Sequence, residues 1–401
     1  MCVEATGRHG GYVFRSSRRC ALTSLTYPVV LASATACYAA LGAVIALLPD
    51  YVPRLGGDAV LVGLMMGAPA ITGAVVRPIG GRWSDRRGPA LVMVGGALAM
   101  AVATLPGFVP RLPLLLVSRL AVGAGEAAMM AAAVLWLLRL AGPARRGRAL
   151  GHVGLANYAG LTVGPILAHL LGPGHPSRVL TLAAVLPLLA AVLAAAVHPR
   201  RVPGDTANRP ARPMSTAAAL LRATARPGLG LLLVNVGYVA VLGYAGAAAA
   251  ARGVHVEALA VPVFGLGVIA SRTVLGWVPD RIGAARTLAA AVVAEAAGLV
   301  GVATATAPAA TVTALLVLAL GQGLAVPALG ILALAAVPPA DHGAAGGLFF
   351  GYFDAGVGLG GPVVGLTVQR ADPGTALLAA AAAVLTGALA GLPTRPHRPP
   401  K

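Results

Sequence analysis

Arg77-Pro78-Ile79-Gly80-Gly81-Arg82-Trp83-Ser84-Asp85-Arg86-Arg87-Gly88 decides the fold, because the chain states its skeleton twice. Arg77, Gly81, Asp85, Arg86 and Gly88 return as Arg272, Gly276, Asp280, Arg281 and Gly283, each displaced by 195 positions in a chain of 401 residues. Both copies stand where a long apolar run gives way to a short basic turn. Punctuation repeated at this distance marks a duplicated unit of about half the chain, and internal symmetry of that kind is built into many membrane proteins.

Composition places both units in a bilayer. Residues are 58% hydrophobic and only 10% charged, with a mean hydropathy of +0.84. A soluble protein of this make-up would lack the polar surface to cover its core. Apolar stretches of about 18 or more residues recur along the whole length, each long enough to cross the hydrocarbon layer. We expect an all-α polytopic protein with spans at 26–48, 59–80, 90–109, 112–140, 148–171, 178–197, 228–250, 255–276, 287–306, 309–337, 343–368 and 374–393. The breaks carry turn chemistry at Pro49-Asp50, Pro110, Gly142-Pro143, Gly172-Pro173, Pro308 and Pro338-Pro339. Domain organisation follows: an N-terminal arm (1–25), a six-helix bundle (26–197), a basic linker (198–227), a second bundle (228–393) and a tail (394–401). Pro199, Pro203, Pro210, Pro213 and six arginines keep the linker at the membrane surface, with an amphipathic helix at 214–224.

The net charge of +18 is spread over short loops with no aromatic interleaving, which argues against nucleic acid as a partner. Its distribution is a topology signal instead. With an even number of spans, 24 of the 30 Lys and Arg residues fall on the side of both termini. Arg54, Arg111, Arg178, Arg252 and Arg370 fall on the other, and Arg119 lies inside span 4. Both termini are therefore expected in the cytoplasm. The first apolar run, preceded by Arg8, Arg15, Arg18 and Arg19, is too long for a signal peptide. The 29 Arg against one Lys suit a GC-rich bacterial genome, and hence the inner membrane. Cys2, Cys20 and Cys37 show no metal spacing or disulfide framework.

Further motifs sit inside the spans. Span 4 carries Arg119-x-x-x-Gly123-x-Gly125-Glu126-Ala127, span 5 carries Gly160-x-x-x-Gly164-Pro165, and span 11 echoes it with Gly356-x-x-x-Gly360-Gly361-Pro362. Together with the duplicated loop phrase, these resemble the major facilitator superfamily, and within it the bacterial drug and sugar (arabinose-type) efflux permeases. Val122 departs from the polar residue usual before Gly123, and Ala168 stands where the span 5 motif has a glycine pair. The resemblance implies twelve helices in two pseudo-symmetric six-helix bundles and transport by alternating access. It also implies a conformational latch made of Arg77, Gly81, Asp85, Arg86, Gly88, Arg272, Gly276, Asp280, Arg281 and Gly283. In that latch Asp85 faces the N-terminal end of span 11, where the helix dipole stabilises it.

The residues have their own physical reading. Gly81 and Gly276 are expected to let helices approach closely, and Gly88 and Gly283 to permit tight turns. Arg77 and Arg272 are expected to pair with their own loop aspartates or to snorkel. Glu126 and Asp354 fall near mid-depth, where a lipid-exposed charge costs about 2.5–3.5 kcal/mol, so each needs a cavity or a partner. A carboxyl able to gain and lose a proton suits proton coupling, and we take Glu126 and Asp354 as its candidates, with Arg119 on the same face tuning Glu126. Structural hydrogen bonding is the competing reading for both. Glu295, on a peripheral span, is expected to be structural. The Gly-Pro ends of spans 5 and 11 (Gly160, Gly164, Pro165, Gly361, Pro362) are read as a packing seal against the opposite half. Tyr38, Asn157, Tyr158, Asn235, Tyr238, Tyr244, Gln322 and Phe350 are candidate cavity residues. With Arg119 as the only arginine within the cavity spans, highly charged substrates are disfavoured.

The reading that follows is a proton-coupled exporter of a small neutral or cationic organic compound, working as a monomer in the lipid bilayer without cofactor or metal. A symporter or facilitator importing a sugar or metabolite is the alternative. A polytopic membrane enzyme or sensor is the remote alternative, disfavoured because His152, His169, His175, His255 and His342 lie singly, at helix ends or away from the mid-depth carboxylates, and no phosphate loop is present.

Overall fold

A computed structural model describes residues 17–141, 145–172, 174–197, 216–338 and 341–392. Twelve helices among them are long and apolar enough to cross a membrane. They are α1 (Ser17–Arg54), α2 (Ala59–Arg87), α3 (Pro89–Thr104), α4 (Leu112–Ala141), α5 (Arg146–Leu170) and α6 (Pro176–Ala196) in the first half. The second half holds α7 (Ala217–Ala250), α8 (Glu257–Leu275), α9 (Ala284–Thr304), α10 (Pro308–Ala335), α11 (His342–Arg370) and α12 (Pro373–Gly391). A short helix, Val278–Ile282, lies between α8 and α9.

Helix ends follow local chemistry. The Asp58 carboxylate accepts from the Leu61 amide at 2.9 Å and caps α2. Gly88 and Gly283 take φ of +87° and +89°, a backbone that L side chains avoid, and in both copies of the loop phrase the next helix begins at once. Pro373 opens α12, and Asp372 accepts from the Gly374 and Thr375 amides at 2.7 and 3.0 Å. The Thr375 hydroxyl and these amides hold the Asp372 carboxyl below the usual carboxylate range.

Three boundaries differ from the sequence expectation. Pro49 does not end α1, which runs on through Pro49 and Pro53 to Arg54. α2 continues past 80 to Arg87, so most of the loop phrase is helical. Of the amphipathic segment expected at 214–224, the described part from Thr216 on is the start of α7 itself, continuous through Pro227, with Thr216 as its cap. The arm before Ser17, the linker at 198–215 and the tail after 392 lie outside the described residues.

Packing within each half joins α1 to α5 and α6, and α4 to α2 and α3, with α7–α12 and α9–α10 pairs in the second half. The halves meet along two seams, α2 with α11 and α5 with α8. Outward faces carry Val75, Leu170, Val274 and Leu389, all well exposed, as lipid contact requires. α2 and α11 approach backbone to backbone. A Cβ on Gly63 would overlap the Gly361 carbonyl, and one on Gly67 would lie 2.7 Å from the Gly358 carbonyl. Small residues at such spacing are the usual basis of helix contact in lipid. Beyond this seam, the Tyr244 hydroxyl donates to the Ala59 carbonyl at 2.7 Å and the Gln369 amide to Asp58 at 3.0 Å. That end of the molecule is closed.

Candidate functional site

Four ionisable side chains from four helices converge at mid-depth between the halves. Arg77 stands ten residues inside the end of α2, about 15 Å along its axis. Its Nε donates to Asp354 Oδ2 at 3.1 Å and its Nη2 to Asp354 Oδ1 at 3.2 Å. Nη2 also reaches Glu126 Oε2 at 3.5 Å. The Tyr38 hydroxyl donates to the other Glu126 oxygen. Glu126 and Asp354 are 6% and 4% exposed, so neither charge faces lipid. The fork on Asp354 has the planar geometry that suits Arg better than Lys. Because Arg77 and Asp354 belong to different halves, this ion pair fastens one half to the other.

Arg77 therefore does not pair with Asp85. That carboxylate lies 3.6 Å from Arg139 at the end of α4, within its own half, rather than capping α11. Arg272 does not pair with Asp280 either, and its guanidinium stacks over the Tyr158 ring of α5 at 4.6 Å. Gly81 is not a close-approach point, since a Cβ there would meet open space; Gly80, one residue earlier, closes on Ala128 of α4. A Cβ on Gly276 would strike only the Arg272 carbonyl of its own turn. Arg86 and Arg281 are exposed, with Arg281 over the Trp277 ring.

The two Gly-Pro motifs do different jobs. Gly160 and Gly164 pack against Thr35, Tyr38 and Ala39 of α1, and Pro165 against Gly42, all within the first half. Gly361 and Pro362 face Gly63 across the halves. Only the α11 copy joins the inter-half seam at its Gly-Pro end. Arg119 shares the Glu126 face of α4, yet it is buried inside the first half, where its Nε donates to the Met65 carbonyl at 3.1 Å. A void of about 10 Å³ beside it is the size of one water.

Among the candidate cavity residues, Tyr158 and Tyr238 meet edge to face, with centroids 6.5 Å apart. Phe264 and Phe353 complete that cluster around Tyr238 and escaped the sequence reading, because an apolar ring in an apolar helix carries no signal of its own. Asn235 packs beside Gly356 of α11 and donates to the Leu231 carbonyl. Tyr244 belongs to the closed end. Phe350 is exposed, and its ring stands edge-on to Phe349. Asn157, Arg272 and Gln322 each keep a buried polar atom without a partner. At the end bearing the loop phrases, a cavity of about 320 Å³ opens between α5, α8 and α10. Arg148, His152, Arg272 and Thr273 supply its polar wall.

Glu295 is fully buried between α7, α10 and α12, and both carboxyl oxygens lack a partner among the described residues. An unpaired buried polar group costs about 1–3 kcal/mol, so Glu295→Leu is expected to hold or raise the thermal midpoint with transport intact. Loss of transport in a stable Leu variant would instead place Glu295 in the transport cycle.

Two helical halves, a mid-depth site between them and a cavity open at one end define a polytopic membrane carrier. The chain belongs to the Major Facilitator Superfamily, whose sequence profile matches residues 30–257 and 252–401. It is similar to an uncharacterized MFS-type transporter of Salmonella typhimurium, 29% identical over 94% of this chain and 98% of that one. A Burkholderia mallei relative of the same description is 30% identical, over 93% and 92%. Among solved structures, a variant of the nucleoside transporter NupG superposes with a TM-score of 0.76 at 15% identity, covering 91% of this chain and 98% of that one. The human organic anion transporter MFSD10 gives 0.69 at 16%, over 92% and 99%. At such identities the likeness is one of fold. The protein is a transporter of this superfamily and not an enzyme.

Proposed function

We propose that the protein is a proton-coupled secondary transporter that exports a small organic compound from the bacterial cytoplasm, acting as a monomer in the inner membrane with both termini inside. The observation that carries this reading is the Arg77–Asp354 ion pair between the halves, with Glu126 as a second carboxylate within reach of the same guanidinium.

Fully ionised, Arg77, Glu126 and Asp354 sum to one net negative charge, and one added proton balances them. A proton on Asp354 removes the charge that Arg77 grips across the interface, leaving Arg77 with Glu126 in its own half. The clasp opens and the halves can part along α2 and α11. Loss of the proton restores it. Tyr38 keeps Glu126 hydrogen-bonded throughout and fixes its orientation towards Arg77. Proton uptake is thereby tied to which end of the interface between the halves is open, which is what coupled alternating access requires.

The lean to export rests on the family resemblance of the α5 Gly-Pro motif. Everted vesicles given a panel of organic compounds are expected to accumulate the substrate only with an inward-acid proton gradient, and a protonophore should abolish it. Accumulation untouched by the protonophore would contradict the coupling, and uptake into intact cells would reverse the direction.

A further inference from the structure

The pseudo-symmetry that duplicates Arg77 as Arg272 also duplicates its surroundings, with one chemical change. Aligning Gly164-Pro165 with Gly361-Pro362 sets Asn157 against Asp354. Aligning Gly125 with Gly321 sets Gln322 against Glu126. Both carboxylates of the first site are carboxamides in the second. The guanidinium is kept and its counter-charges are gone.

The structure shows the consequence. Among the described residues no carboxylate lies within ion-pair distance of Arg272, and its Nε is buried without a hydrogen-bond partner. Asn157 Oδ1 and both amide atoms of Gln322 are likewise buried and unpartnered. Asn157 lies between Gly154, whose Cβ position is 3.0 Å from Arg272 Nη1, and Tyr158, whose ring carries the guanidinium. The three share the α5 face turned to α8. A terminal amide can turn over to offer its NH2 in place of its oxygen. Arg272 lines the 320 Å³ cavity with Leu155, Leu324 and Pro327 as apolar neighbours, and Arg148 stands at its rim.

We propose that Arg272, with the pseudo-symmetric amides Asn157 and Gln322 on the adjoining helices α5 and α10, is the binding site for the carboxylate of the transported substrate, a small monocarboxylic acid with an apolar body. The acid supplies the counter-charge that Asp354 and Glu126 supply to Arg77. A planar carboxylate matches the guanidinium fork, whereas a phosphate dianion would call for a second buried cation. The cavity is of the size that holds a small organic ligand. The expectation that highly charged substrates are disfavoured rested on Arg119 being the only arginine in the cavity spans. Arg119 is buried inside the first half, and Arg272 lines the cavity between the halves.

This site rests on the carrier reading of the cavity but not on proton coupling, and its test is binding without a gradient. The purified full-length protein is titrated with benzoate, phenylacetate and nicotinate, with the matching amides and inorganic phosphate as controls, and thermal unfolding is recorded. At least one acid is expected to raise the midpoint in a saturable way while its amide and phosphate do not. Arg272→Gln should weaken that acid on the order of tenfold or more, with Arg272→Lys between. Asn157→Asp recreates the first site's ion pair, so it should fold well and lose acid binding. Equal stabilisation by acids and amides, no stabilisation by any acid, or wild-type affinity in Asn157→Asp would each overturn the proposal. A failed vesicle experiment with intact acid binding would sink the coupling alone.

Discussion

Arg77→Ala is expected to abolish proton-driven transport and to destabilise the protein by about 3–5 kcal/mol, the usual cost of stranding one side of a buried ion pair. Two carboxylates, 6% and 4% exposed, would face each other with no cation between them. Asp354→Asn should behave differently. Arg77 retains Glu126 at 3.5 Å, so the fold survives with a permanently neutral partner at the clasp. That variant should still exchange substrate down a substrate gradient but ignore a pH gradient. Arg77→Lys should fall between, because an ammonium cannot make the two-pronged contact that Nε and Nη2 make with Asp354. Thermal melts separate the stability effect from the transport effect. Wild-type pH response in Asp354→Asn would remove Asp354 from the coupling.

The second large effect is expected at the α2–α11 seam. Gly63→Leu places a branched side chain where the Gly361 backbone already lies, and neither backbone can yield without parting the helices. The end closed by Tyr244–Ala59 and Gln369–Asp58 should then stay open. Transport should be lost while the protein still inserts and folds, since the seam lies between the halves and not within either core. A cysteine at Val364, buried beside the Gly365–Ala59 contact, should become reactive to a membrane-impermeant thiol reagent in this variant, on either side of any pH change. Full transport by Gly63→Leu would show that the seam does not close in the cycle.

Much of this architecture is legible in one sequence because its signals are local. Twelve apolar runs, the repeated phrase and the glycines at positions 88 and 283 each report on their own backbone. The structure departs where a partner is remote in the chain. Arg77 is 49 residues from Glu126 and 277 from Asp354, and no spacing rule links them. The signal that could have found the cluster was charge balance: one arginine ten residues inside α2 and two carboxylates at similar depth need each other in lipid. The α5 glycines show the reverse. Their spacing announces close packing but not which neighbour they meet, and that neighbour is α1 of the same half. Asp85 lies at a helix end where several cations compete, and the Arg139 side chain beside it wins over a helix terminus in the other half.

The most direct test pairs spin labels across the two ends of the interface. One pair joins Arg54 of α1 to Arg370 of α11 at the closed end, and the other joins Leu150 of α5 to Ile282 beside the second loop phrase. With cysteines at these exposed positions in a functional background, double electron–electron resonance across a pH series should show reciprocal change. Acidification should lengthen the Arg54–Arg370 distance and shorten the Leu150–Ile282 distance, and Asp354→Asn should hold both distances at the acid values whatever the pH. Distances that stay fixed with pH in the wild-type protein, or that lengthen at both ends together, would contradict a proton-gated clasp between two rocking halves.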